Sequence, residues 1–273
     1  MHSHPIRAAV FDIDGTLAMM DKDTGTYAAL PGAVAALRAL DARGMPVVAY
    51  TNGTFFPPAH YYPLLAEAGL VLAPGHILTP ATVAARQLAK MGVKRLMTIA
   101  ADGTRVPLRD AGSEVALAGE GGEVDGVMLG WTKDFGAADL EEAAQLLWAG
   151  KPLYATSIAP HFAGAKGRLL GISGAVAAAL HNATGVKAKV FGKPETIGIE
   201  DISAMLGVPA QEMVVIGDDP KLEIAMARKA GAFAVGVTTG TVDAAGFDAA
   251  EAGLRAQVVL PGLEGLMAQG WWG

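Results

Sequence analysis

Ala8-Ala9-Val10-Phe11-Asp12-Ile13-Asp14-Gly15-Thr16 runs from small and branched apolar residues straight into two carboxylates and a glycine. An apolar run with no polar residue alternating through it is the pattern of a parallel strand buried on both faces. Its abrupt end in charge marks where the strand surfaces, and in open α/β sheets ligands bind outside the carboxyl ends of such strands. One carboxylate there can attack, the next but one can carry a proton, and a divalent cation can lie against both. Asp-x-Asp alone fits an Asx turn equally well, so the rest of the chain has to decide.

Three further runs end in the same way. Met45-Pro46-Val47-Val48-Ala49-Tyr50 delivers Thr51-Asn52-Gly53, Val190-Phe191-Gly192 delivers Lys193-Pro194, and Met213-Val214-Val215-Ile216-Gly217 delivers Asp218-Asp219. If these strands lie parallel and side by side, all four polar endings meet along one edge of a sheet. The set suits a phosphoryl group: a lysine as point charge, hydroxyl and main-chain N–H donors, and carboxylates to hold magnesium. A fifth run, Ala232 to Val237, ends in Thr238-Thr239-Gly240-Thr241 and points to the same edge.

With 52% hydrophobic and 18% charged residues in 273, the chain can bury a substantial core. A net charge of −6 with scattered basic residues argues against a nucleic-acid track. The absence of cysteine excludes disulfides, thiolate zinc sites and cysteine nucleophiles. The longest apolar stretch, Gly171 to Leu180, falls short of the ~20 residues a membrane span needs. The start, Met1 to Pro5, lacks the apolar centre of a signal peptide. A cytoplasmic protein that does not engage membranes is therefore expected. His2 and His4 sit at a terminus, where such pairs are ordinarily solvated.

Periodicity predicts a helix opened by Pro31-Gly32, with Val34, Leu37 and Leu40 on one face and Gly44 as its stop. A second helix is expected near Ala59 to Ala68. Thr79-Pro80 starts a new unit, with threonine as cap and proline at the first helical position. There follow a strand Arg95 to Ala100, a turn at Asp102-Gly103, a strand Val124 to Gly130, a helix Ala137 to Trp148, a strand Leu153 to Ser157 and a helix Gly174 to Asn182. The expected fold class is α/β, a doubly wound, mostly parallel sheet with a smaller α/β domain inserted. Residues 1–78 and 185–273 form the core domain in this reading and 79–184 the insert. Trp271-Trp272 are expected to pack on the core or on a partner.

In order, Asp12-Ile13-Asp14-Gly15-Thr16-Leu17, Thr51-Asn52-Gly53, Lys193-Pro194-Glu195 and Gly217-Asp218-Asp219 resemble the motifs of the haloacid dehalogenase superfamily. The long insert between the second and third resembles its class IIA branch, which includes NagD-type nucleotidases and nitrophenyl-phosphatases. The resemblance implies that the insert is a class II cap closing over the phosphate site. It implies Asp12 as a nucleophile forming an aspartyl-phosphate, and Asp14 as the acid and then the base. Thr51 and the N–H groups of Asn52 and Gly53 would hold phosphoryl oxygens, with Lys193 neutralising their charge. Magnesium would be held by Asp12, the Asp14 carbonyl and Asp218. Glu223 stands where the family carries an aspartate, to reach the metal's water shell or to orient Asp218; Asp219 is an alternative ligand. His161, in the segment Thr156-Ser157-Ile158-Ala159-Pro160-His161, is a candidate contact for the leaving group, although Ala159 replaces the family's acid. A homodimer through the cap is a further implication of the resemblance.

The expected function is magnesium-dependent hydrolysis of a small phosphorylated metabolite: a nucleoside monophosphate, a sugar or glycerol phosphate, or phosphoglycolate. A phosphomutase, a C–halogen hydrolase and a non-catalytic phosphate-binding protein remain as alternatives on the same fold. Displacing halide requires neither leaving-group protonation nor magnesium, and a binder has no use for Asp14.

Overall fold

The structure, a computed structural model, describes residues 4–21, 24–164 and 167–272, so His2 lies outside the described residues. The chain separates into two compact units: residues 1–51, 59–78 and 193–273 make the first, residues 52–58 and 79–192 the second.

The first unit is built on a parallel six-stranded sheet. Its order is Val258–Leu260, Phe233–Val237, Met213–Gly217, Ala8–Phe11, Val47–Tyr50 and Ile77–Leu78. All four residues of Ala8–Phe11 and all five of Met213–Gly217 are buried, as unbroken apolar runs require when helices cover both faces of a sheet. On one face Phe11, Ile216 and Val235 join a cluster with Leu37 and Leu40 of helix Ala33–Ala42 and with Tyr61 and Leu65 of helix Pro58–Glu67. On the other, Gly198 of helix Ile197–Leu206 comes so close to the Tyr50 ring that a Cβ there would collide with it. From Ala8–Phe11 the chain builds outward to one side through Val47–Tyr50 and Ile77–Leu78. It then returns to build the other side through Met213–Gly217. The strand order therefore reverses between Ala8–Phe11 and Met213–Gly217, the place where open α/β sheets form a crevice for ligands.

The second unit has its own parallel sheet, ordered Lys189–Val190, Leu153–Ala155, Gly126–Leu129, Arg95–Ile99 and Glu114–Ala116. A core of Met97, Ile99, Val127, Leu129, Leu147 and Leu180 fills it. Helix Pro80–Lys90 starts as its sequence predicts: the Thr79 side chain accepts from Thr82 N and Thr82 returns the bond to Thr79 N.

Two expectations are corrected. Val190 does not lead into a strand of the first sheet: Lys189–Val190 pairs with Leu153–Ala155, and Phe191 N donates to Ala155 O. The second unit accordingly runs to Gly192, where the sequence reading placed its end at 184. Asp102-Gly103 is not a turn but the first turn of helix Asp102–Asp110. The sheet register sets that start, because Ala101 N is bonded to Trp131 O at 2.8 Å. The tail packs on the core as expected, with Trp271 5.1 Å from Phe233 between ring centroids and Trp272 Nε1 donating to Leu266 O.

Candidate active site

Asp12 leaves the first strand with its N–H still on the sheet, donating to Ile216 O. The chain then turns sharply: Gly15 N donates to Ala18 O and both Leu17 N and Ala18 N to Ile13 O. Gly15 adopts φ +88°, and a Cβ there would sit 2.7 Å from Asp218 Oδ2. Only glycine meets both demands. Gly240 presses on the same carboxylate from the opposite loop, again without room for a side chain. Thr239 Oγ1 donates to Gly15 O, while Thr241 N and Oγ1 both donate to Asp218 Oδ2 at 2.7 and 2.9 Å. The loop after the fifth strand thus locks one oxygen of Asp218, and Oδ1 accepts no hydrogen bond among the described residues.

Lys193 is almost fully buried, and its ammonium meets acceptors from three parts of the chain. Asp12 Oδ1 lies at 2.5 Å, Glu223 Oε1 at 2.6 Å and Tyr50 O at 2.9 Å. Glu223 reaches it through a single wide turn of π type, Pro220–Ile224, which folds the side chain back over Gly217. The other oxygen of Glu223 accepts from Asp219 N at 3.1 Å. Glu223 therefore bonds Lys193 and the Asp219 main chain, and neither of its oxygens bonds Asp218. Asp219 caps the same turn, accepting from Lys221 N at 2.7 Å.

Asp12, Asp218 and Glu223 are all buried, and among the described residues the Lys193 ammonium is the one cation paired within the group. Fully ionised, they leave two negative charges uncompensated where water cannot screen them. Burial pushes the Asp12 carboxyl well above the usual carboxylate range; Lys193 opposes this, and Glu223 and Asp218 add to it. Burial, followed by the Glu223 charge, pushes Asp218 up to about 6. Burial alone would pull Lys193 down, but Asp12 and Glu223 outweigh it and hold the ammonium above its ordinary value. The lysine is charged, and among the described residues no second cation pairs with these carboxylates.

A magnesium ion fits that deficit. It is divalent, takes oxygen ligands, and usually accepts few from protein with water completing its octahedron. The donors present are the Asp12 carboxylate, the unbonded Oδ1 of Asp218 and the main chain at Asp14. Among the described residues no trio of His, Asp or Glu side chains forms a ready-made ligand cluster, and a set of two carboxylates and one carbonyl does not call for one.

Asp14 is exposed at the mouth of the turn, and Thr51 is buried at the end of Val47–Tyr50. Asn52 and Gly53 follow Thr51 directly but belong to the second unit, as does His161, exposed at the start of the hairpin strand His161–Gly164. The structure thus brings Asp12, Lys193, Asp218 and Glu223 together. The sequence reading missed two contacts here: the Thr241 clamp on Asp218 and the Glu223–Lys193 pair. The first had a visible signal in Thr238-Thr239-Gly240-Thr241; the second had none.

Comparison with known proteins matches residues 9–114 to the family described as haloacid dehalogenase-like hydrolase and residues 190–266 to a second, HAD-hydrolase-like description. Haloacid dehalogenase-like hydrolase domain-containing protein 2 of Bos taurus is 30% identical over 244 residues, covering 89% of this chain and 88% of the relative. A dihydroxyacetone phosphatase of Corynebacterium glutamicum is 27% identical, covering 78% and 76%. The crystal structure of a glycerol phosphate phosphatase from Mycobacterium tuberculosis, in complex with magnesium, superposes with a TM-score of 0.84 at 25% identity, covering 96% of this chain and 76% of that one. Among the described residues no helix is long and apolar enough to cross a membrane.

Proposed function

The chain belongs to the haloacid dehalogenase-like hydrolases, and from that premise we propose that it acts on phosphate monoesters, as a magnesium-dependent phosphatase of small phosphorylated metabolites working through Asp12. The observation that carries this reading is the buried group of Asp12, Asp218 and Glu223 around one lysine. A structural ion pair needs one carboxylate per ammonium; an arrangement two charges short suits a site that takes up a divalent cation.

Asp12 Oδ1 is pinned by Lys193, which leaves Oδ2 to attack phosphorus. The bond from phosphorus to the ester oxygen breaks, and that oxygen takes a proton from Asp14. Water then attacks the aspartyl-phosphate and gives its proton back to Asp14, which restores the carboxylate of Asp12 and releases phosphate. Thr51 and the N–H groups of Asn52 and Gly53 hold the phosphoryl oxygens, and Lys193 offsets the charge gathering there. Magnesium, held by Asp12, the Asp14 carbonyl and Asp218, would supply the missing positive charge.

The test is turnover with magnesium at neutral pH on glycerol phosphate, dihydroxyacetone phosphate, phosphoglycolate, nucleoside monophosphates and p-nitrophenyl phosphate. Two relatives are named for three-carbon compounds, which puts those substrates first. Phosphate release from at least one substrate, lost with EDTA, is the expected result. Asp14→Asn should lower kcat by about two to four decades, the usual weight of general acid–base catalysis. Release of halide, isomerisation of a phosphosugar, or no turnover at all would each replace the reading with one of its alternatives.

Metal binding also has a pH signature. Asp218 has its folded-state pKa raised to about 6, so the stability contributed by its protonated form is present below its unfolded value and lost as pH climbs through 6. Magnesium binds the ionised form. The rise in Tm on adding saturating magnesium is therefore expected to be larger at pH 7.5 than at pH 5. An equal rise at both values would dissociate metal binding from this carboxylate.

A further inference from the structure

The turn that follows Thr51 is held by the second unit. Gly103, in the first turn of helix Asp102–Asp110, lies so close to the Thr54 carbonyl that a Cβ there would collide with it, and it would also stand 2.8 Å from the carbonyl carbon of Phe55. The Phe55 ring meets the Trp131 ring edge-on with centroids 4.6 Å apart. Trp131 is itself fixed: its carbonyl accepts from Ala101 N at 2.8 Å, which ties the tryptophan to the start of the helix that carries Gly103. At the other end of the unit a Cβ on Gly192 would lie 2.8 Å from Asn52 Oδ1. Thr54 is buried. Asn52 through Phe55 are thus packed from three directions by residues remote in sequence.

We infer that Trp131 and Gly103 are positioning residues for the phosphate-binding turn: they set where the Asn52 and Gly53 N–H donors stand, and so act on catalysis without touching substrate. This rests on the proposed role of those two donors. The physical reason is reach. Main-chain donors help a phosphoryl group only when held in place beforehand, and a displacement of about 1 Å far from the chemistry can cost up to about 100-fold in rate. A loop of Thr, Gly and Phe lacks the ladder of a sheet or helix to hold it. The ring of Phe55 against Trp131 and the bare Cα of Gly103 against the Thr54 carbonyl supply the restraint.

Amide hydrogen exchange of the full chain, read on peptides spanning 52–56, tests the restraint independently of activity. Trp131→Ala is expected to quicken exchange there by roughly two- to tenfold, the weight of one aromatic edge contact, and Trp131→Phe to restore it. In parallel, Trp131→Ala should raise both KM for p-nitrophenyl phosphate and Ki for inorganic phosphate several-fold, with Tm little changed and Trp131→Phe near wild type. Gly103→Ala is the second variant, expected to shift the same constants. Exchange indifferent to Trp131→Ala overturns the inference, as does faster exchange with KM and Ki unmoved. A wild-type protein that hydrolyses no phosphate monoester overturns the functional reading instead, an outcome that the exchange data keep separate.

Discussion

Asp12→Asn is expected to abolish phosphate release while leaving the fold intact. Removing the nucleophile of a covalent mechanism costs on the order of four or more decades in kcat, because no neighbour can form the same intermediate. Asp14 is exposed and next but one along the chain, Glu223 is bonded to Lys193 and Asp219, and Asp218 is clamped by Thr241. The companion measurement is thermal. Burial already pushes Asp12 toward its neutral form in the absence of metal, and asparagine mimics that form. At pH 7.5 the metal-free Tm should match or exceed that of wild type, whereas the increase in Tm on adding magnesium should shrink. Wild-type turnover by Asp12→Asn would refute the nucleophile assignment. A metal response undiminished by the substitution would refute only its place among the ligands.

The sequence made the buried strands legible because an apolar run surrounded by parallel neighbours carries the same signature whichever strands those neighbours are. Ala8–Phe11, Val47–Tyr50, Met213–Gly217 and Phe233–Val237 were readable on that ground, and Thr79-Pro80 announced its helix through capping chemistry. Partner choice was not legible. Val190 ends a two-residue strand, and nothing in its own composition says which of two sheets supplies the matching edge. Asp102-Gly103 has the local chemistry of a turn, but a bond from Ala101 N to Trp131 O, thirty residues on in the chain, starts a helix there. Glu223 carries a contact that its sequence position did not announce: the wide turn at Pro220–Ile224 brings its side chain to Lys193 and to the Asp219 main chain.

Lys193→Met should be the most destabilising single change at this site and should also eliminate activity. The ammonium separates Asp12 from Glu223, bonding to one at 2.5 Å and to the other at 2.6 Å, with all three groups buried. Methionine keeps most of the volume and removes the charge, leaving two carboxylates facing each other. Breaking a buried pair in this way typically costs about 3–5 kcal/mol, since the abandoned partner is uncompensated. Some of that cost is relieved by protonation of a carboxylate, so the loss of stability should be larger at pH 8 than at pH 5. Glu223→Gln in the Lys193→Met background removes one of the stranded charges and is expected to recover part of the stability; the two sites are in contact, so the effects should be strongly non-additive. Activity should not recover, because the charge that offsets the phosphoryl oxygens is still missing. Urea denaturation of the wild type, both single variants and the double variant at each pH measures the coupling. Additive effects would mean that Lys193 and Glu223 do not stabilise each other, and recovered turnover in the double variant would remove Lys193 from the chemistry.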